Sequence, residues 1–184
     1  MAVPAPDGYS FRPFVLDDAA ALAAAYTRNR DHLERWDPAR PEEFYTVEGQ
    51  RKEAEQRLDL QERGLFALYV AVGPGGDLVG RLNIQNIVRG PMQGGVLGYW
   101  VDREHTRRGV ATAAVEYLEG EALRLGLHRL EAGTMVENLP SQRVLLARGF
   151  EQYGMAPKLL FLNGAWRDHV LFQKLLHDRP LDGG

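Results

Sequence analysis

With 184 residues, 45% of them hydrophobic, the chain holds enough apolar material for one domain with a substantial core, and it is too short for two. A net charge of -3 supplies no basic field for nucleic acid or an anionic membrane, and the absence of cysteine removes disulfides, thiolate zinc sites, iron-sulfur clusters and a cysteine nucleophile. Residues 1–7 show no basic segment followed by an apolar run, and no stretch approaches the roughly 20 apolar residues of a membrane span, so a soluble cytoplasmic protein is expected.

In chain order, Tyr9 to Phe14 reads as a short strand, and Asp17-Asp18 precede the alanine-rich helix Ala19 to Tyr26. Asn29 to Phe44, broken by Pro38 and Pro41, is expected to be irregular. Val47, Ala54 and Leu58 then mark one face of a second helix ending near Gly64. The period changes at Leu65. The run Leu65 to Val72 is nearly continuous apolar sequence, Gly73-Pro74-Gly75-Gly76 turns, and Leu78 to Val88 alternates Leu82 and Ile84 with Arg81, Asn83 and Gln85, which predicts a hairpin. After a second glycine-rich turn, Val96 to Val101 adds a third antiparallel strand. Val110, Ala114, Leu118, Ala122 and Leu125 line one face of a helix that stops at Gly126.

A strand from Arg129 to Val136, a helix from Leu139 to Arg148 closed by Gly149, and two strands joined at Asn163-Gly164 complete the pattern. The crossover from Gly98 to Val136 implies a parallel pair inside an otherwise antiparallel sheet. The expected fold is therefore α+β: a mixed, mostly antiparallel central sheet with helices on both faces. It forms one domain over residues 1–176, with a frayed tail over 177–184.

The most informative stretch lies between the third strand and its helix: Gly98-Tyr99-Trp100-Val101, an acidic-basic turn, then Arg107-Arg108-Gly109-Val110-Ala111-Thr112. A strand turning through small residues into a helix leaves free backbone N–H groups at the positive end of the helix dipole, which suits a pyrophosphate. Arg107, Arg108 and the Thr112 hydroxyl stand where they can reach phosphate oxygens. The stretch is neither a Walker loop nor the three-glycine dinucleotide fingerprint, which disfavours nucleotide hydrolysis. The same residues also fit an ordinary helix start.

The segment Thr106-Arg107-Arg108-Gly109-Val110-Ala111 resembles the acyl-CoA-binding motif of the GCN5-related N-acetyltransferase (GNAT) superfamily, with Thr106 where the pattern has Gln or Arg. Downstream, Glu137-Asn138-Leu139-Pro140-Ser141, Leu145-Leu146-Ala147-Arg148-Gly149-Phe150, Gly154, Lys158, Asn163-Gly164 and Asp168 are similar to the RimJ/RimL branch, which acetylates ribosomal-protein N-termini. Upstream, Asp77-Leu78-Val79-Gly80 and Gly98 to Asp102 fit it too. The similarity is good from Leu65 to Leu175 and holds in outline from Tyr9 to Gly64.

The resemblance implies an acetyl-CoA-dependent N-acetyltransferase acting on a primary amine, a protein N-terminus by the same likeness, by direct attack in a ternary complex. The two parallel strands would splay near Trp100-Val101 and Thr134-Val136, the pantetheine arm would pair with exposed strand backbone, and an N–H around Val101 would stabilise the oxyanion. Ser141 would meet the departing sulfur and Asn138 the cofactor arm or a water, although both also make an ordinary turn and helix cap. Cofactor contacts would come from Trp100, Val101, Arg107, Arg108, Gly109, Val110, Ala111, Thr112, Asn138 and Arg143. Glu34, Trp36, Asn83 and Gln85 would line the acceptor cleft.

For the general base, many relatives carry Glu two residues before the Gly-Tyr-Trp core, where this chain has Val96; Glu34, Glu42 and Glu43 are candidates, each also readable as a solvated charge. Tyr153 stands where the family often has Glu. The five histidines show no metal-ligand spacing, and no metal is expected. The other readings are a small-molecule amine acetyltransferase, for an antibiotic or polyamine, and a non-catalytic CoA-binding module. Neither a membrane nor a nucleic-acid partner is expected, and the protein would be a monomer or homodimer.

Overall fold

The computed structural model describes residues 5–180. Strands β1 (Ser10–Pro13), β2 (Ala67–Val72), β3 (Leu78–Val88), β4 (Gly94–Val101), β5 (Arg129–Met135), β6 (Glu151–Leu162) and β7 (Ala165–Leu175) form one sheet in the order β1-β2-β3-β4-β5-β7-β6. Helices α1 (Ala19–Arg28), α2 (Arg30–Glu34), α3 (Val47–Glu62), α4 (Val110–Arg124) and α5 (Leu139–Ala147) cover it. Every neighbouring pair is antiparallel except β4 and β5, as the crossover requires.

At β2 the sheet is buried on both faces, which explains the uninterrupted apolar reading of that strand. Ala67 and Tyr69 belong to one core with Leu82, Ile84, Leu118, Leu130, Leu145 and Phe172; Leu68 and Val70 belong to a second with Phe14, Leu22, Tyr26, Phe44 and Ala54. Alternate side chains of a single strand thus feed two cores. The terminations follow backbone rules as well. Gly64, Gly126 and Gly149 follow α3, α4 and α5 at φ of 71, 74 and 75°, and each is succeeded by an amide that reaches back into the last turn, as Leu127 N–H does to the Ala122 carbonyl at 2.9 Å.

The segment expected to be irregular between Asn29 and Phe44 contains α2 and a 3-10 turn at Glu42–Tyr45. The reason is tertiary. Asn29, fully buried at the end of α1, donates to the Ala25 carbonyl at 2.9 Å and to the Asp102 carboxylate at 2.7 Å, and this anchor turns the chain into a second short helix before the prolines act. At the other end, residues 181–184 of the expected tail lie outside the described part. His177 is fastened through its carbonyl to the His128 Nδ1 at 2.5 Å. Among the described residues no helix is long and apolar enough to cross a membrane.

Asp102 links α1 to the end of β4. Beyond Asn29, its buried carboxylate accepts from Arg28 Nε at 2.5 Å and from the Glu104 amide at 3.0 Å. Burial pushes this carboxyl up, but the donors outweigh it and hold it below its ordinary value. Asp102→Ala is expected to remove about 2–3 kcal/mol of stability at neutral pH, since it strands a buried amide and a guanidinium. A carboxyl depressed by folding contributes stability above about pH 4 and loses it as pH falls through its lower folded value. The gap in melting temperature between wild type and variant should therefore close on acidification; a gap independent of pH would remove the charge from this account.

Candidate active site

Pairing between β4 and β5 covers only Gly94↔Arg129, Gly95↔Leu130 and Val96↔Glu131. Beyond Val96 the two strands diverge while each stays bonded to its outer neighbour. Asp102 N–H donates to the Val79 carbonyl at 2.8 Å, so by strand alternation the amides of Tyr99 and Val101 point away from β3, into the gap. A cleft of about 570 Å³ runs through this opening, with β3 and the α3 side on one flank and α5 on the other.

α5 brings two side chains to the cleft. Asn138 caps the helix, accepting from the Ser141 amide at 3.2 Å, so the capping role read from the sequence is real and leaves its NH2 group uncommitted to that bond. The Ser141 hydroxyl lies 2.9 Å from the Tyr99 hydroxyl. Burial raises the Tyr99 phenol to about 12 although its bond to Ser141 pulls it down, so it is a neutral phenol able to donate to Ser141 at physiological pH. α5 itself is held by Arg148, which pairs with Glu116 at 3.2 Å and Glu119 at 2.8 Å on α4, while Lys174 of β7 joins Glu119 at 2.8 Å. Between the strands the Thr134 hydroxyl lines the cleft, shielded from solvent and without a hydrogen-bond partner.

At the same end of β4, a 3-10 turn at Arg103–His105 leads into α4. Gly109 occupies the N-cap at φ 79°, with no side chain to satisfy the first helical amides, so those of Val110, Ala111 and Thr112 keep their donors at the positive end of the dipole. Val110 itself is buried. Arg107 and Arg108 on this turn, and Arg143 on α5, are exposed; among the described residues none is in an ion pair.

Of the residues expected on the acceptor side, Trp36, Asn83 and Gln85 line the cleft, as does Trp100, whereas Glu34 does not. Glu34 flanks a separate small pocket beside Arg30 and Leu33, and its carbonyl is taken by Asn163 of the β6–β7 turn. Glu42, an expected base candidate, is turned outward into a pair with Arg30, and Glu43 lies outside the cleft as well. The acids that do line it are Asp37, Glu53 and Glu131. Glu131 is the register partner of Val96, so the carboxylate missing on β4 is met one strand over; it accepts from Arg129 at 2.8 Å and Tyr153 at 3.4 Å.

Sequence reasoning missed Tyr99, Asp37, Arg40 and Arg81. Arg81 alone had a visible signal: it alternates with Asn83 and Gln85 on the polar side of β3. His169 is buried in β7 and lines the cleft. No group of three or more potential metal ligands occurs among the described residues.

This arrangement can be set beside known proteins. The family model described as Acetyltransferase (GNAT) domain matches residues 10–151. A Bacillus subtilis protein named probable N-acetyltransferase YjcK is 38% identical over 91% of this chain and 93% of its own length. The crystal structure of ribosomal-protein-S5-alanine acetyltransferase from Vibrio fischeri superposes with a TM-score of 0.90 at 34% identity, covering 95% of this chain and 97% of that one. Mycobacterium smegmatis RimJ, solved in complex with CoA-disulfide, gives 0.85 at 32% identity over 91% and 81%. A seven-stranded sheet whose single parallel pair opens beside an uncapped helix start, together with these matches, places the chain in the GNAT N-acetyltransferase family.

Proposed function

We propose that the protein transfers an acetyl group from acetyl-CoA to a primary amine, a protein N-terminal α-amine of the ribosomal-protein type, by direct attack in a ternary complex. The observation that carries this reading is the gap between β4 and β5, which opens unpaired backbone next to the bare N-terminus of α4. The α4 amides from Val110 to Thr112 receive the diphosphate at Gly109, where a Cβ would enter the phosphate cradle, and Arg107, Arg108, the Thr112 hydroxyl and Arg143 add charge or donors around it. The pantetheine arm lies against β4 as an added strand, facing the Tyr99 and Val101 amides and the unpartnered Thr134 hydroxyl.

The Val101 amide then meets the thioester oxygen as the amine nitrogen bonds to the carbonyl carbon. The carbon–sulfur bond breaks, the leaving sulfur takes its proton from Ser141, Tyr99 passes its proton to Ser141, and the proton that the attacking nitrogen sheds as the amide forms goes to solvent in the cleft, from which Tyr99 is re-protonated. Asn138 holds the arm or a water, and Trp36, Asn83 and Gln85 guide the acceptor. No metal and no covalent enzyme intermediate takes part, and one copy of the chain contains all these residues. Similarity to the S5-alanine acetyltransferase supports the acceptor class.

The test is thiol release from acetyl-CoA with N-terminal peptides, polyamines and aminoglycosides in parallel. Release with peptides is expected; release with polyamines or aminoglycosides alone would move the acceptor to a small amine, and binding of acetyl-CoA without release to any acceptor would make the chain a binding module. Tyr99→Phe, which deletes the hydroxyl 2.9 Å from Ser141 and keeps the ring, should lower kcat by about tenfold with KM for acetyl-CoA unchanged. An unaltered kcat would confine Tyr99 to packing.

A further inference from the structure

Among the described residues, the acceptor side of the cleft holds two guanidinium groups that form no ion pair. Arg81 on β3 donates one Nη1 bond, to the Tyr26 hydroxyl at 3.1 Å, while its Nε is shielded from solvent and has no partner. Arg40, which lines the same cleft, packs 4.8 Å from the Phe44 ring centroid, and its Nε is likewise buried and unpartnered. Neither arginine is within ion-pair distance of a carboxylate among the described residues. Trp100 sits opposite Arg81 in the β3–β4 register, and its indole N–H is a third buried donor with no acceptor.

These groups are contiguous. The Tyr26 ring lies 4.9 Å from Trp100 and 4.8 Å from Phe44 by centroid, so Arg81, Trp100, Tyr26, Phe44 and Arg40 form one wall. Two acids lie near it without an ion pair to it, and both Glu53 and Asp37 favour the Arg81 charge through space. Glu53 is engaged by Arg57 at 2.9 Å. Asp37 feels both Arg40 and Arg81 but bonds to neither, and burial holds its carboxyl above the ordinary value. Buried charge without a partner is costly, and a carboxylate matches a guanidinium fork in shape as well as sign.

We propose that the wall of Arg81, Arg40 and the Trp100 indole N–H is a carboxylate-recognising subsite, so that the favoured acceptor is an amine bearing a carboxylate close to the reacting nitrogen. The inference rests on the acetyl-transfer reading and narrows its acceptor. The carboxylate has two sources: the α-carboxylate of a free amino acid, or an acidic side chain early in a peptide. Polycations are disfavoured by either.

Two matched pairs separate the sources: alanine against alaninamide, and Ala-Asp against Ala-Asn peptides with amidated C-termini. Thiol release with saturating acetyl-CoA and calorimetric binding to the acetyl-CoA-free protein are measured for each. In at least one pair the carboxylate member should be favoured by about tenfold in kcat/KM and in affinity, and that pair names the source. Arg81→Met should abolish the preference, with Arg40→Met as a second variant should the first fail to melt cooperatively. Equal values within both pairs, or a preference that survives both variants, overturns the subsite. If no amine supports release, the transfer reading fails and the calorimetric comparison alone decides: tighter binding of a carboxylate member upholds the subsite, and equal binding removes it.

Discussion

Gly109→Asp should reduce acetyl-CoA affinity by about a hundredfold or more while leaving the fold intact. The site has room for the new side chain, since a Cβ built on Gly109 meets nothing nearer than Pro6 Cγ at 3.7 Å, and aspartate tolerates the left-handed conformation at φ 79° better than most residues. What changes is the field. A carboxylate at the N-cap would take the free α4 amides as an ordinary helix cap and set a negative charge against the diphosphate. The variant should therefore melt near the wild-type temperature, and its affinity can be read by titration calorimetry. Asparagine at the same position caps without charge and should fall between the two. Retained affinity in the aspartate variant would show that α4 does not hold the phosphates.

Ser141→Ala should lower kcat by about a hundredfold, with KM for acetyl-CoA little altered, because the lost interaction is made with sulfur as the bond breaks rather than with the bound thioester. The α5 cap should survive, since Asn138 accepts from the backbone amide of residue 141 and not from its side chain. The variant leaves the Tyr99 hydroxyl without its partner, so the effects of Tyr99→Phe and Ser141→Ala should not add: the double variant should fall close to Ser141→Ala alone. Steady-state kinetics of the two single variants and the double variant check this, and fully multiplicative losses would mean that the two hydroxyls act separately.

The fold was legible where local pattern and tertiary demand coincide. β2 reads as a continuous apolar run because both its faces are buried, and the parallel β4–β5 pair follows from a helical crossover that admits few other solutions. α2 was not legible, because it depends on Asn29 reaching Asp102 across 73 positions of sequence. The site divides along the same line. Gly109, Asn138 and Ser141 stand in local motifs whose chemistry is visible in order. Placing Glu34 required knowing which way the chain turns after α2, and that direction is set by packing against α1 and the β6–β7 turn.

Arg81 shows a different failure: alternation placed it beside Asn83 and Gln85, but a long cationic side chain on a polar strand face looks solvated until α1, α3 and the Trp36 to Arg40 loop close over it. Tyr99 reads as part of a strand, and periodicity assigns such a residue a side without a partner. Its partner Ser141 stands on α5, which Arg148 ties to α4 and Gln142 ties to the end of β5.

The short β4–β5 register also bears on how the protein comes apart. Along this seam three register pairs join a four-stranded half-sheet to a three-stranded one, over a core that both share. Amides along the open margin, Tyr99 and Val101 among them, should exchange with deuterated solvent faster than those on the sealed margins of the same strands. A ligand lying in the seam would become the missing rung. Saturation should then slow exchange on both halves together.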